Sequence, residues 1–149
     1  MALETILLAV GPGDADRIER LADAVVEVAG PTGATVVLAH VFTDEEYDEV
    51  LDHLDSDPMG ETTPDEVAGR HATIRELGAA FDEAGVAYAV RGRVGPHGDS
   101  IVDLAEEVDA DRVVVGGRKR SPTGKAVFGS TAQTVMLNAP CPVTFVRSD

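Results

Sequence analysis

Residues 5–10, Thr-Ile-Leu-Leu-Ala-Val, and residues 35–42, Thr-Val-Val-Leu-Ala-His-Val-Phe, are apolar at nearly every position. They lack the alternation of a strand that wets one side. Runs of this length, the first closed by Gly11-Pro12-Gly13, read as strands buried on both faces. A strand buried in that way needs helices above and below its sheet, so the two runs direct the chain toward a parallel sheet joined by helical crossovers.

The remaining segments continue the alternation. Behind the acidic start Asp14/Asp16, Ile18, Leu21, Ala22, Val25, Val28 and Ala29 recur at helical spacing, with Gly30-Pro31 as the stop signal. Residues 43–63 are acidic and irregular, apart from a short helix suggested by Tyr47, Val50, Leu51 and Leu54. Pro64 opens a long helix whose Val67, His71, Ile74, Leu77 and Phe81 form one apolar stripe, ended by Gly85. Residues 86–94 form a third strand, less apolar and so nearer an edge. Asp99 or Ser100 caps a helix with Ile101, Leu104, Ala105 and Val108 inward. Residues 112–115 form a fourth strand running into Gly116-Gly117, residues 130–138 a fourth helix and residues 142–146 the last strand. Five strands with four crossovers imply one α/β domain over residues 1–149, with helices on both faces. In such a sheet the ligand site lies at the carboxyl ends of the strands, here Gly11-Pro12-Gly13, His40-Val41-Phe42 and Gly116-Gly117.

Composition narrows the function. A chain of 149 residues matches one domain, and no apolar run nears the ~20 residues that span a bilayer. A soluble cytoplasmic protein is expected, with no membrane partner. Cys141, the single cysteine, allows no internal disulfide and no cysteine metal cluster. The net charge of −15 argues against a nucleic-acid partner, and only two lysines beside ten arginines indicate a halophilic protein suited to concentrated salt. The charge is also uneven: residues 112–148 contain no Asp or Glu but six bases, of which Arg118, Lys119, Arg120 and Lys125 lie close together. A chain that keeps its carboxylates off one segment points that segment at an anion or another subunit.

Several motifs fail. The run from Gly11 has Asp16 where a dinucleotide fingerprint needs its third glycine, and Gly124 to Gly129 has P-loop spacing without the Lys-Ser/Thr that should follow. The histidines at 40, 53, 71 and 97 lack metal-ligand spacing, and His71 on its stripe reads as a core residue. Cys141 between two prolines reads as a packed strand residue, and no serine sits in a nucleophile elbow. What survives is a strand, glycines, a basic loop and Gly129-Ser130 at a helix start. Glycines let backbone N–H groups approach oxygens, and a helix N-terminus adds partial positive charge, so this is an anion cradle.

From residues 6–10 to the terminal Cys141-Pro-Val-Thr-Phe-Val146, the chain resembles the universal stress protein family. The family's nucleotide motif is a glycine, two residues, a glycine, nine residues and Gly-Ser/Thr. Gly116 matches its start and Gly129-Ser130 its close, while Lys119 stands at the second glycine. ATP-binding members carry an aspartate directly behind strand one; this chain has Gly11, with Asp14 three residues on. His40-Val41, Gly95-Pro96 and residues 109–116 also match. The resemblance implies an adenine nucleotide alpha hydrolase-like, Rossmann-like sheet of order 3-2-1-4-5, and a role in the stress response. It implies binding of ATP with Mg2+, or of another adenine nucleotide, by Val10, Gly11, Val41, Gly116, Gly117, Arg118, Lys119, Lys125, Gly129, Ser130 and Thr131. It further implies a homodimer through Val143, Thr144, Phe145 and Val146 of the last strand. The alternative is a member that binds no nucleotide and acts as a dimeric interaction module or takes another anion. No catalytic constellation lies near the loop, so any ATP hydrolysis should be slow.

Overall fold

The computed structural model describes residues 3–54, 63–117 and 129–147. Along the chain run β1 (Thr5–Val10), a 3₁₀ helix (Pro12–Arg17), α1 (Ile18–Thr32), β2 (Thr35–Phe42), α2 (Asp44–Leu54), α3 (Pro64–Arg70), α4 (Ala72–Ala84), β3 (Tyr88–Val94), α5 (His97–Glu107), β4 (Arg112–Gly117), α6 (Gly129–Asn138) and β5 (Val143–Arg147). The strands form one parallel sheet of order β3-β2-β1-β4-β5, as expected.

The uniform apolarity of β1 follows from its place. Ile6, Leu8 and Val10 pack with Leu21 and Val25 of α1 and Ile74, Leu77 and Phe81 of α4. Leu7 and Ala9 face the other way, among Ile101, Leu104 and Ala105 of α5 and Ala132 and Val135 of α6. Each fully enclosed aliphatic side chain contributes about 1.5–3 kcal/mol, so neither face tolerates a polar residue. At the amino end of the sheet the Asp111 carboxylate accepts the backbone N–H groups of Glu4 (2.9 Å) and Thr5 (3.0 Å), tying β1 to the start of β4. Those two bonds lower the pKa of Asp111 against the opposing effect of burial.

Three boundaries differ from the sequence reading. Gly30-Pro31 does not stop α1, which runs on to Thr32 and ends at Gly33 in the left-handed conformation (φ 71°). A proline excludes helix from the residue before it largely through that residue's Cβ, and Gly30 has none. The helix expected from Pro64 to Gly85 is two, broken at His71, whose backbone is extended (φ −68°, ψ 134°). The break lets one apolar stripe serve two places: Val67 and Ala68 pack with Phe42, while Ile74, Leu77 and Phe81 join the core beneath α1. The helix expected to be capped by Asp99 or Ser100 begins earlier, at His97 behind Pro96, and places both residues within its first turn. The other ends agree within one or two residues, α6 starting at Gly129 and β5 running one residue beyond Val146.

β3 is an edge strand, and α3 lies directly against it. The Gly92 N–H donates to Asp65 Oδ1 at 2.7 Å, and Arg91 Nε lies 3.7 Å from the same oxygen. A Cβ at position 92 would sit 2.0 Å from the Pro64 carbonyl oxygen, so the contact requires glycine. Gly92→Ala should therefore lower stability in urea melts by about 1–3 kcal/mol, the usual cost of forcing atoms into a packed contact. Gly69→Ala, whose Cβ would meet nothing within 4 Å inside α3, should instead raise stability by about 0.5–1 kcal/mol.

Candidate functional site

The strand order reverses beside β1: β2 and β3 lie on one side of it, β4 and β5 on the other. At the carboxyl ends of β1 and β4 this leaves a cleft of about 170 Å³, lined by Val10, Gly11, Val41, Gly116 and Thr131 among others. These five are sequence-predicted site residues, brought together from three strands and a helix start. Gly117 ends β4 next to Gly116, and Gly129 and Ser130 open α6 just before Thr131. Ser130 lies with Thr131, Pro96 and His97 in an adjoining depression. Gly129 adopts φ 75°, a conformation that favours glycine whatever it binds. Arg118, Lys119 and Lys125 lie outside the described residues. Val143 and Phe145 pack half-buried toward α5 and α6, and Val146 toward the opposite core; with Thr144 they belong to β5, the other edge strand.

The cleft also contains residues the sequence reading did not assign to it. Asp14 does not point away as part of a helix start. The 3₁₀ turn folds it back, so that its Oδ2 accepts the Gly11 N–H at 2.7 Å while the Asp14 N–H donates to the Gly11 carbonyl at 3.1 Å. A carboxylate therefore stands at the end of β1 despite the glycine there. Its other oxygen is paired with Arg17, and both side chains are buried, at 7% and 8% exposure. The pair lies across Gly116, where a Cβ would come within 2.7 Å of Asp14 Oδ1 and 2.8 Å of Arg17 Cδ. The i, i+3 spacing of Asp14 and Arg17 was a usable signal for this pair; its contact with Gly116, about 100 residues away, had none.

His97, at the start of α5, is a further wall of the cleft, and its Nε2 lies 2.8 Å from Glu46 Oε1. The same Glu46 oxygen accepts the Thr43 N–H at 2.8 Å, and Thr43 Oγ1 accepts the Glu46 N–H at 3.1 Å, a reciprocal cap on α2. Burial works to raise the pKa of Glu46, but the Thr43 N–H and His97 outweigh it and leave it lowered. Behind them His40 is buried, stacked on His71 (4.5 Å between centroids) and tilted against Phe42 (4.4 Å). His71 is thus not a stripe residue in the core. It is the joint between α3 and α4, its Nδ1 accepting the Thr73 N–H at 3.3 Å. Among the described residues, no group of three or more His, Cys, Asp or Glu side chains is arranged to hold a metal. Burial, reinforced by Asp111, raises the pKa of Cys141, in keeping with a packed thiol.

A parallel sheet of order 3-2-1-4-5 with a crevice beside its first strand defines a class of doubly wound α/β proteins that hold ligands at the reversal point. The family model described as the universal stress protein family matches residues 3–147, and the chain belongs to that family. It is 30% identical over 148 residues to the universal stress protein in the QAH/OAS sulfhydrylase 3′ region of Thermus aquaticus, covering 97% of this chain and 98% of the relative. Among solved structures it is similar to a universal stress protein from Archaeoglobus fulgidus, at 30% identity and TM-score 0.69 over 96% of this chain and 98% of the other. It is also similar to the universal stress protein of Archaeoglobus fulgidus solved in complex with dAMP, at 25% identity and TM-score 0.64 over 98% and 99% of the two chains.

The histidine cluster makes stability depend on pH. Burial lowers the pKa of His40 from 6.5 to about 4, with His71 and His97 adding to the effect and Glu46 opposing it. A group harder to protonate when folded supports the fold fully above pH 6.5 and loses that support as the pH falls toward 4. The full loss is of order 3 kcal/mol. Urea melts between pH 7 and pH 4.5 should show stability falling as the pH falls, and His40→Phe should flatten the slope in that window.

Proposed function

We propose that this protein is a stress-associated regulatory member of the family that binds ATP or another adenine nucleotide in the cleft beside β1 and signals through its occupancy. The observation that carries the reading is the convergence of Gly11, Gly116 and the first turn of α6 on one crevice at the reversal point. Val10 and Val41 offer apolar contact to a base. Gly116, Gly117, Gly129, Ser130 and Thr131 offer backbone and hydroxyl donors to phosphates, and Arg118, Lys119 and Lys125 supply charge. A triphosphate would bring Mg2+ with it. The dAMP complex of the similar Archaeoglobus fulgidus protein supports an adenine nucleotide as the ligand class. The protein works in the cytoplasm, and its charge of −15 suits a concentrated-salt medium. One observation favours the second reading, a dimeric interaction module without a nucleotide: the Asp14 carboxylate lines the same cleft and repels phosphate unless it stays paired.

Calorimetric titration in multimolar KCl with Mg-ATP, and separately with AMP, tests the proposal. Saturable binding near one nucleotide per chain is expected. Gly129→Val should weaken it by about tenfold or more while the melting temperature falls by only a few degrees, since the strain at a positive φ is about 1–2 kcal/mol. Absence of heat with both ligands would leave the second reading.

We further propose a homodimer paired through β5, because β5 is a half-apolar edge strand of the described sheet and such an edge invites pairing. A charge placed at Val143 or Phe145 should halve the mass seen by sedimentation equilibrium, with the far-ultraviolet circular dichroism unchanged. An unaltered mass would end the assignment.

A further inference from the structure

Arg17 is the one basic side chain among the residues that line the cleft in the described structure, apart from His97. It reaches the cleft from the 3₁₀ turn, passing its methylene stem under Gly116 and its guanidinium beside Gly13, where a Cβ would lie 3.7–3.8 Å from its two terminal nitrogens. A side chain at position 116 would crowd it, whereas a Cβ at position 13 would make only ordinary contact, so it is Gly116 that shapes a berth for the arginine.

A guanidinium has five N–H donors. Asp14 takes up one terminal nitrogen, and the Nε–H, buried from solvent, has no hydrogen-bond partner among the described residues. A buried donor attached to a full charge is seldom left unsatisfied. The residue that carries it lines a crevice at the end of the sheet where ligands are held. The Asp14 carboxylate, anchored on the Gly11 N–H, fixes the guanidinium without using all its donors and cancels its charge while the cleft is empty of anion. An ion pair purely for packing would gain from closing every donor; this one keeps a donor in reserve.

We propose that Arg17 recognises the phosphoryl group of an adenine mononucleotide in this cleft, with Asp14 as its positioning residue. The inference rests on the adenine-nucleotide reading above. It assigns to a residue of the 3₁₀ turn the discrimination between a nucleotide and its nucleoside, by a charge-assisted hydrogen bond made only when the phosphate is present. Arginine suits this role because its planar fork can hold a carboxylate with one nitrogen and a phosphoryl oxygen with another.

The test uses the unmodified protein, labelled with ¹⁵N, and follows the Arg17 Nε–Hε resonance during titration with AMP and with adenosine. AMP is expected to move it and adenosine to leave it in place. AMP binding that shifts it no more than adenosine does would overturn the assignment. In parallel, Arg17→Met should weaken AMP about tenfold or more, the worth of one hydrogen bond to a charged group, while adenosine changes less than about twofold. Equal loss of both ligands, or loss of neither, would also overturn it, since a structural role moves both alike. Should the variant fail to fold, the resonance of the native arginine decides alone. If the unmodified protein takes up neither AMP nor adenosine, the adenine-nucleotide reading itself fails and this assignment with it, an outcome distinct from AMP binding that ignores Arg17.

Discussion

Ile6, Leu7, Leu8, Ala9 and Val10 of β1 have helices above and below them and a strand on either side. A segment enclosed in this way leaves no direction in which the sheet can grow except outward. The chain first builds β2 and β3 on one flank, then crosses to build β4 and β5 on the other. Right-handed crossovers put α1 and α4 on one face and α5 and α6 on the opposite one. The connections that leave β1 and β4 therefore part company, and the cleft opens where they separate. Its position follows from enclosing β1, before any side chain of the site is considered.

The backbone of this arrangement was readable in the residues. An unbroken apolar run means burial on both faces, and a weaker, charge-bearing run such as residues 88–94 means an edge; both hold in the sheet. The misreadings share one cause, a local signal overruled by a distant contact. Gly30-Pro31 carries the signature of a helix end, but nothing in it tells that glycine also removes the clash that makes the signature work. The stripe from Val67 to Phe81 has one helical period, yet its two halves pack on different partners and the chain kinks at His71 to reach both. The site divides along the same line. Gly11, Val41 and Gly116 were recognisable because glycines and strand ends mark a crevice in one dimension, and Thr131 entered only through the resemblance to the family. Asp14 and Arg17 were missed as cleft residues because their role depends on lying across Gly116, which only the folded sheet brings near.

The walls of the cleft are tied to one another through polar contacts as well as through the core. His97 joins α5 to Glu46, Glu46 closes the first turn of α2 through Thr43, and His40 at the end of β2 stacks on the His71 joint between α3 and α4. The ends of four helices, α2, α3, α4 and α5, thus meet near the carboxyl end of β2.

The two margins of the sheet are not equivalent. At β3, the Asp65 carboxylate already occupies the Gly92 N–H, so a further strand cannot take up that donor, and α3 lies against the strand. At β5, β4 is the only strand hydrogen-bonded to it among the described residues. A sheet closed at one margin and open at the other can be lengthened once, by a copy presenting the same open margin, and the composite then has two closed ends. Under the β5-paired homodimer proposed above, the helix that requires a glycine in β3 would act as a stop on polymerisation, so that growth ends at two copies.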